Sequence, residues 1–346
     1  MTERGFANLR SLLMFKLTVI IVTIALGAVV ALGQAPTLTI VTPDGPNLPA
    51  DLFYGNVKVK PLRLRPGTNR VITIDDSDFF VNQHYVDFLN RFPDSGGFAF
   101  WTGKITVCGT DQACLLANRI AVSNAFFFEL EFQQTGAFVY RMYREAFGNH
   151  QPFPNPSQSN PTEGNKMPLY AKFKADRQLV VGGSNLAQKQ LDLANDFVSR
   201  PDFLVKYPAN LATADQFVDA VLATVQGDIG VDLASERTNL INLYNSGGGR
   251  GAVIYRLADD NVNTNPINNR AFIDAEYNRA FVYGEYSGYL RRNSDIPGFL
   301  FWLGQVNSGA LRDLTKQRAM VCSFITSQEY QLRFGSSATH SNAECN

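Results

Sequence analysis

The chain has little of what most chemistry-bearing folds require. Among 346 residues there are only three histidines, His84, His150 and His340, and four cysteines, Cys108, Cys114, Cys322 and Cys345. No Cys-x-x-Cys pair occurs and no histidine lies near a cysteine pair in sequence, which excludes a zinc site of the usual spacing. The Gly-x-Ser-x-Gly elbow and the His-Glu-x-x-His helix are both absent. Gly247 to Gly251 matches neither glycine-rich phosphate loop, and the run from Asp259 has Thr264 where a calcium-binding loop needs Gly and Arg270 where it needs Glu. Excess charge of either sign is missing too, because Lys plus Arg and Asp plus Glu both number 31. No global field attracts nucleic acid or an anionic membrane, so nucleic acid is not expected as a partner. No catalytic, cofactor-binding or metal-ligating residue is assigned, and no cofactor is expected.

What the chain does have is apolar bulk. Hydrophobic residues make up 45%, aromatic residues 12% and charged residues only 18%, with 26 phenylalanines. That composition describes a buried, folded protein, and the length suggests two or three packed units.

The first 33 residues combine a basic region (Arg4, Arg10, Lys16), an apolar run from Leu17 to Leu32 and the small-residue site Ala31-Leu32-Gly33 before Gln34. This pattern reads as an export signal, or as an uncleaved membrane anchor. Either reading delivers the remainder outside the cytoplasm, to periplasm, cell surface or medium. The even cysteine count fits that address, since an exported chain favours disulfides. Cys108 with Cys114 is the expected pair, leaving Cys322 with Cys345.

From residue 34 to 74 apolar and polar residues alternate in TLTIV, NVKVKPLRLRP and RVITI, which predicts short strands or an extended arm. Lys58, Lys60, Arg63, Arg65 and Arg70 make one stretch of it locally basic. Beyond Asp75 the spacing is helical, so the expected fold is mainly α. Phe80 to Trp101 aligns without a gap on Phe281 to Trp302, at a constant offset of 201 and with ten identities over 22 positions. Chance would supply about one or two. Each copy reads as a helical hairpin: Tyr85, Leu89 and Arg91, then Asp94 capping a second helix with Gly97 and Trp101. Tyr286, Leu290, Arg292, Asp295, Gly298 and Trp302 repeat the set. The glycines would permit close approach, the tryptophans would fill the core, and the arginines would cover the last carbonyls of the hairpin.

An aromatic residue five before an acid-aromatic pair follows each hairpin, as Phe126 with Glu131-Phe132 and Phe324 with Glu329-Tyr330. Weaker module starts lie at Phe138 and Phe217. The expected organisation is a leader or anchor (1–33), an extended arm (34–74), a first helical module (75–148) and a proline-rich linker (149–168). Two degenerate modules (169–260), a fourth module (261–335) and a tail (336–346) complete it.

The motif from Tyr85 to Trp101 and from Tyr286 to Trp302, with its acid-aromatic ending, resembles the bacterial family known as domain of unknown function 4214. The resemblance covers about 75 to 346. It implies a helical module that accompanies secreted or surface proteins and is distantly like phycobilisome linker domains, which act by protein–protein contact. It supplies no catalytic residues. The chain departs from the family pattern at Phe92, where Glu is usual, and throughout its middle modules.

Two functional classes remain in view. One is a non-enzymatic scaffold presenting a concave or edge surface to another protein or an envelope polymer, tethered to the membrane if the N-terminal segment is retained. The other is an exported hydrolase or carbohydrate-active enzyme with its site in the loops between modules. A deep pocket with converging carboxylates would favour the second, and shallow faces with exposed aromatics the first. Function is left to the positions at which the two copies differ, such as His84 against Glu285 and Asp87 against Gly288.

Overall fold

Asp76 closes an extended segment, and the apolar residues at helical spacing behind it, Phe80, Val81 and His84, start the first helix, α1 (Ser77–His84). In the computed structural model, residues 65, 67–68, 70–151, 166–335 and 337–345 are described in full. Residues 38–41, 51–54 and 57–59 are described by backbone alone. The leader or anchor segment 1–33 and the proline-rich stretch 152–165 lie outside the described residues, as do Lys60 and Arg63 of the basic run.

The backbone divides into two units. The smaller contains a three-stranded antiparallel sheet, β1 (Leu38–Val41), β2 (Asp51–Tyr54) and β3 (Val57–Val59), in that order, with Leu38 opposite Tyr54 and Leu52 opposite Val59. The larger unit is helical and includes residues 62–346.

In the first module α1 runs directly into a π-helical segment, Tyr85–Leu89. The wider turn stops at Asn90, whose φ of 57° places it in the left-handed region, and its N–H bonds the Tyr85 carbonyl. The second helix, α2 (Ser95–Thr106), is capped by Asp94, whose carboxylate accepts from the Gly97 N–H at 2.8 Å. Cys108 and Cys114 are joined as a disulfide across the turn into α3 (Gln112–Phe128), where Asp111 caps two backbone N–H groups. A short helix, α4 (Leu130–Gln134), follows.

All twelve residues of the next helix, α5 (Gly136–Phe147), are buried, as expected of a helix packed on every side. It is flanked by α6 (Tyr170–Arg177) and α7 (Leu186–Phe197), followed by α8 (Pro201–Lys206), which carries proline in its first turn. A capping box between Thr213 and Gln216 starts α9 (Ala214–Thr224), which ends in a second π segment, Val225–Ile229, and a left-handed Gly230. The short helix α10 (Arg237–Leu243) and a third π segment lead through the glycine run into α11 (Gly249–Ala258), which packs on α7 and α5.

The asparagine-rich loop after α11 has a definite job. Asn269 donates to the carbonyls of Arg256, Leu257 and Asp259, and Asn265 to those of Arg256 and Asp259. Two amide side chains thus satisfy the open C-terminal end of the helix.

The last module repeats the first with α12 (Arg270–Glu285), a π segment at Tyr286–Leu290, left-handed Arg291 at φ 52°, and α13 (Ile296–Asn307) capped by Asp295. Helices α14 (Leu314–Ile325) and α15 (Gln328–Gln331) follow, and Cys322 is bonded to Cys345 in the tail. The chain is mainly α, as its spacing indicates. An open array would keep its first and last modules apart; here α14 packs on α3, and the two hairpins meet at their π segments. Aromatic rings fill that seam: Phe127 of α3 lies 4.7 Å from Phe281 and 5.4 Å from Tyr277, both on α12.

Candidate functional site

The repeated motif residues form the same set of bonds twice. Arg91 donates from Nε to Glu131 Oε1 at 2.6 Å and from its terminal nitrogens to Glu131 Oε2 at 2.7 Å and the Phe92 carbonyl at 3.0 Å. Arg292 does the same with Glu329, at 2.6 and 3.0 Å, and with the Asn293 carbonyl at 2.9 Å. The arginine therefore does cover a carbonyl, but its principal partner is the acid of the acid-aromatic ending. Each guanidinium also lies over the ring of its tyrosine, Tyr85 or Tyr286, and each tyrosine meets Phe126 or Phe324 edge to face at about 5 Å.

Gly97 and Gly298 are required by the same tyrosines, since a Cβ at either position would collide with the tyrosine hydroxyl. Leu89 is buried and Leu290 partly so. Trp101 and Trp302 pack against the core from its edge, partly buried, and do not sit within it.

Two of the positions at which the copies differ, Asp87 and His84, lie where the modules dock. Asp87, 1% exposed, accepts from Gln83 at 2.9 Å, from Arg291 at 2.9 and 3.1 Å, and from Arg333 at 2.8 and 3.0 Å. Burial alone would raise its pKa; the charges of Arg333 and Arg291 outweigh that and hold it below the usual value. Its counterpart Gly288 is small for a matching reason, because a Cβ there would stand 2.8 Å from the Phe88 ring.

His84 donates through Nδ1 to the Phe80 carbonyl at 2.8 Å, which leaves Nε2 to accept from Ser123 Oγ at 2.7 Å. Ser123 in turn shares a hydrogen bond with the Tyr289 hydroxyl across the seam. Serine and imidazole are at the spacing of a hydrolytic pair, yet both are 1% exposed and burial pulls the imidazole down to about 4. A substrate has no access to that oxygen, so His84 serves docking.

Glu285, the counterpart of His84, is 0% exposed with no hydrogen-bond partner on either carboxyl oxygen, and burial holds its pKa well above 4.5. The folded chain keeps this group protonated, whereas the unfolded chain releases the proton above about pH 4.5, so stability falls as pH rises beyond that point. Glu285→Gln is expected to match the parent near pH 4 and to exceed it increasingly up to pH 8, read as melting temperature across that range. A parent-like pH profile would show that Glu285 is ionised and partnered.

The tail closes the first module onto the last. Thr339 donates to Asp75 Oδ2 at 2.9 Å, while the two nitrogens of His340 face Asp75 Oδ1 at 2.9 Å and Glu344 Oε2 at 2.7 Å. The Asp75 bond, helped by Glu344, pushes His340 up to about 9. A raised histidine stabilises fully below its unfolded value near 6.5 and ceases to do so as pH climbs through about 9. His340→Gln should therefore lower the melting temperature at pH 6 and leave it nearly unchanged at pH 10; equal losses at both would overturn the ion-pair account.

Part of the basic run is spent in the same region, since Arg65 donates to both oxygens of Asp78 at 2.8 and 2.9 Å and pairs with Asp76 at 3.2 Å.

One repeated position is left largely in solvent. Phe100 is 55% exposed and Phe301 57%, at the same place on α2 and α13. Each meets the neighbouring tryptophan edge to face, at 4.9 Å for Phe100 with Trp101 and 5.0 Å for Phe301 with Trp302. Leu300, also exposed, extends the face on α13, and Lys104 lies over the Phe100 ring on α2. The helical spacing of the core-facing residues passes over both phenylalanines, which the sequence marks only as two of the ten identities. Their retention in both copies was the available signal.

No curated protein and no solved structure matches the chain. Residues 264–334, spanning α12 to α15, match the family model described as a domain of unknown function (DUF4214), so the last module is where the resemblance read from Tyr286 to Trp302 is borne out.

Proposed function

We propose that the chain is a non-enzymatic, extracytoplasmic interaction or scaffold protein that binds another protein or an envelope polymer through the exposed faces of α2 and α13. The observation that carries this reading is the pair Phe100 and Phe301, kept identical in two copies while more than half exposed. A large aromatic ring left more than half in water gives the fold less than a buried one and supplies the contact area that binding hot spots use. The extracytoplasmic address is supported by the two disulfides and by the apolar N-terminal stretch.

Capture from an envelope extract tests the reading. A Phe100→Ala, Phe301→Ala chain should retain the parent's circular dichroism and melting temperature and lose at least about tenfold of the captured partner, a hot-spot-sized effect. Undiminished capture by the double variant would overturn the assignment of these faces. Fractionation with N-terminal sequencing tests the address, and recovery of intact chain from the cytoplasm would sink it.

A further inference from the structure

The tail, residues 337–345, contributes nothing to the core: His340 and Cys345 are partly covered and the rest of it is exposed. A segment without apolar burial is held in place by its individual bonds. Some of these are polar and local. The Thr339 and His340 N–H groups both donate to Gln331 Oε1, at 2.6 and 2.9 Å, and Gln331 Nε2 donates back to the His340 carbonyl at 3.0 Å. The Thr326 hydroxyl donates to Asn342 Oδ1 at 2.9 Å. The covalent cross-link is the disulfide from Cys345 to Cys322 of α14.

His340 lies beside a seam whose walls come from both outer modules, Ile74, Phe80 and Leu116 on one side and Ile325 and Tyr330 on the other. The space left there is about 10 Å³, room for a single water. Thr339 and His340 reach across it to Asp75, whose backbone carbonyl accepts from Arg119 of α3. The tail is thus a strap over the joint between the first and last modules. The joint has other attachments, Phe127 with Phe281 and Asp87 with Arg291 and Arg333, and none of these involves the tail. Lifting the strap therefore opens the joint at Asp75 and leaves the helical fold standing.

We infer that the Cys322–Cys345 disulfide is a redox latch: a dithiol reductant that opens it frees the tail from Asp75 and uncovers the seam, and reoxidation seats the tail again. Cys322 is 3% exposed whereas Cys345 is partly exposed, so an incoming thiolate meets the Cys345 sulfur. Its attack forms a mixed disulfide at Cys345 and expels the Cys322 thiolate, and the second thiol of the reductant then displaces Cys345. Two electrons pass to the chain, the dithiol leaves as its own disulfide, and its two thiol protons end on Cys322 and Cys345. The other disulfide has no such consequence. Cys108 and Cys114 are six residues apart within the first module, and opening their bond leaves the strap in place.

NMR of the full chain before and after treatment with dithiothreitol tests this. Reduction should leave the far-UV circular dichroism unchanged and speed exchange of the Thr339 and His340 amides by at least about tenfold, a factor within reach of one lost cross-link. The His340 ring should titrate closer to the ordinary value near 6.5 than to about 9, because Asp75 no longer faces it. Reoxidation should reverse both changes. A Cys108→Ser, Cys114→Ser chain, which keeps only the latch, should respond as the parent does. Cys345→Ser should show the open behaviour without reductant, and dithiothreitol should not move its tail signals further. The inference is overturned if reduction abolishes the helical signal, which would make the disulfide a structural staple. It is equally overturned if the Thr339 and His340 amides stay protected in the reduced chain, or if Cys345→Ser keeps the closed titration of His340, since hydrogen bonds alone would then seat the tail.

Discussion

Asp87→Ala is expected to destabilise the helical unit by about 3–5 kcal/mol, the cost of breaking a buried ion pair by removing one partner. The carboxylate receives two arginines from the last module and a glutamine from its own helix, all while 1% exposed. Without it, Arg291 and Arg333, both of the last module, lose the carboxylate that they share across the seam. Arg291 is also held at a left-handed φ of 52°, a strained conformation for a side chain of this size, and its guanidinium is delivered to Asp87 from there. Urea unfolding followed by circular dichroism measures the loss, and an unchanged m-value would show that the unfolded state is not the cause. A second variant separates charge from packing: Asp87→Leu with Arg291→Met and Arg333→Met should recover much of the loss, because buried ionic partners replaced together by apolar groups are often tolerated. A loss below about 1 kcal/mol for Asp87→Ala would mean that the aromatic rings alone hold the two modules together.

Phe127→Ala should cost a similar amount, about 3–5 kcal/mol, for a different reason. The ring is 0% exposed and is surrounded by Phe132 of its own module at 4.9 Å and by Tyr277 and Phe281 of the last at 5.4 and 4.7 Å. Deleting it removes apolar contact and leaves a cavity lined by rigid rings that cannot collapse into it. The effect should be insensitive to pH between 5 and 9, unlike that of His340→Gln, and a marked pH dependence would show that the aromatic seam is not independent of the neighbouring charges.

How much of this was legible follows from the distance over which each residue acts. The hairpin, its caps at Asp94 and Asp295 and the close-approach glycines are local, with partners three to twelve residues away, and the gapless alignment of the two copies exposes them. The partner of Arg91 lies 40 residues on and that of Arg292 37 on. Both acids stood out as part of a repeated ending, and the fact that arginine and acid are retained together was the signal that could have joined them. Asp87 meets Arg333 across 246 residues, which no periodicity reports. Its trace in the sequence is a difference between copies: two modules that dock on each other by unlike surfaces must diverge where they touch, and Asp87 against Gly288 is such a site. The π segments left no trace, since Tyr85–Leu89 and Tyr286–Leu290 have ordinary helical composition.

The docking of the first module on the last also settles how this architecture can grow. In a linear stack each new repeat adds to an open end, and length is free to vary. Here both terminal modules already face each other, with the tail's His340 seated on Asp75. A further copy at either end could not join the seam that these two modules already share. The stretch between the outer modules lies outside that constraint, and it is where the sequence has drifted furthest from the repeat.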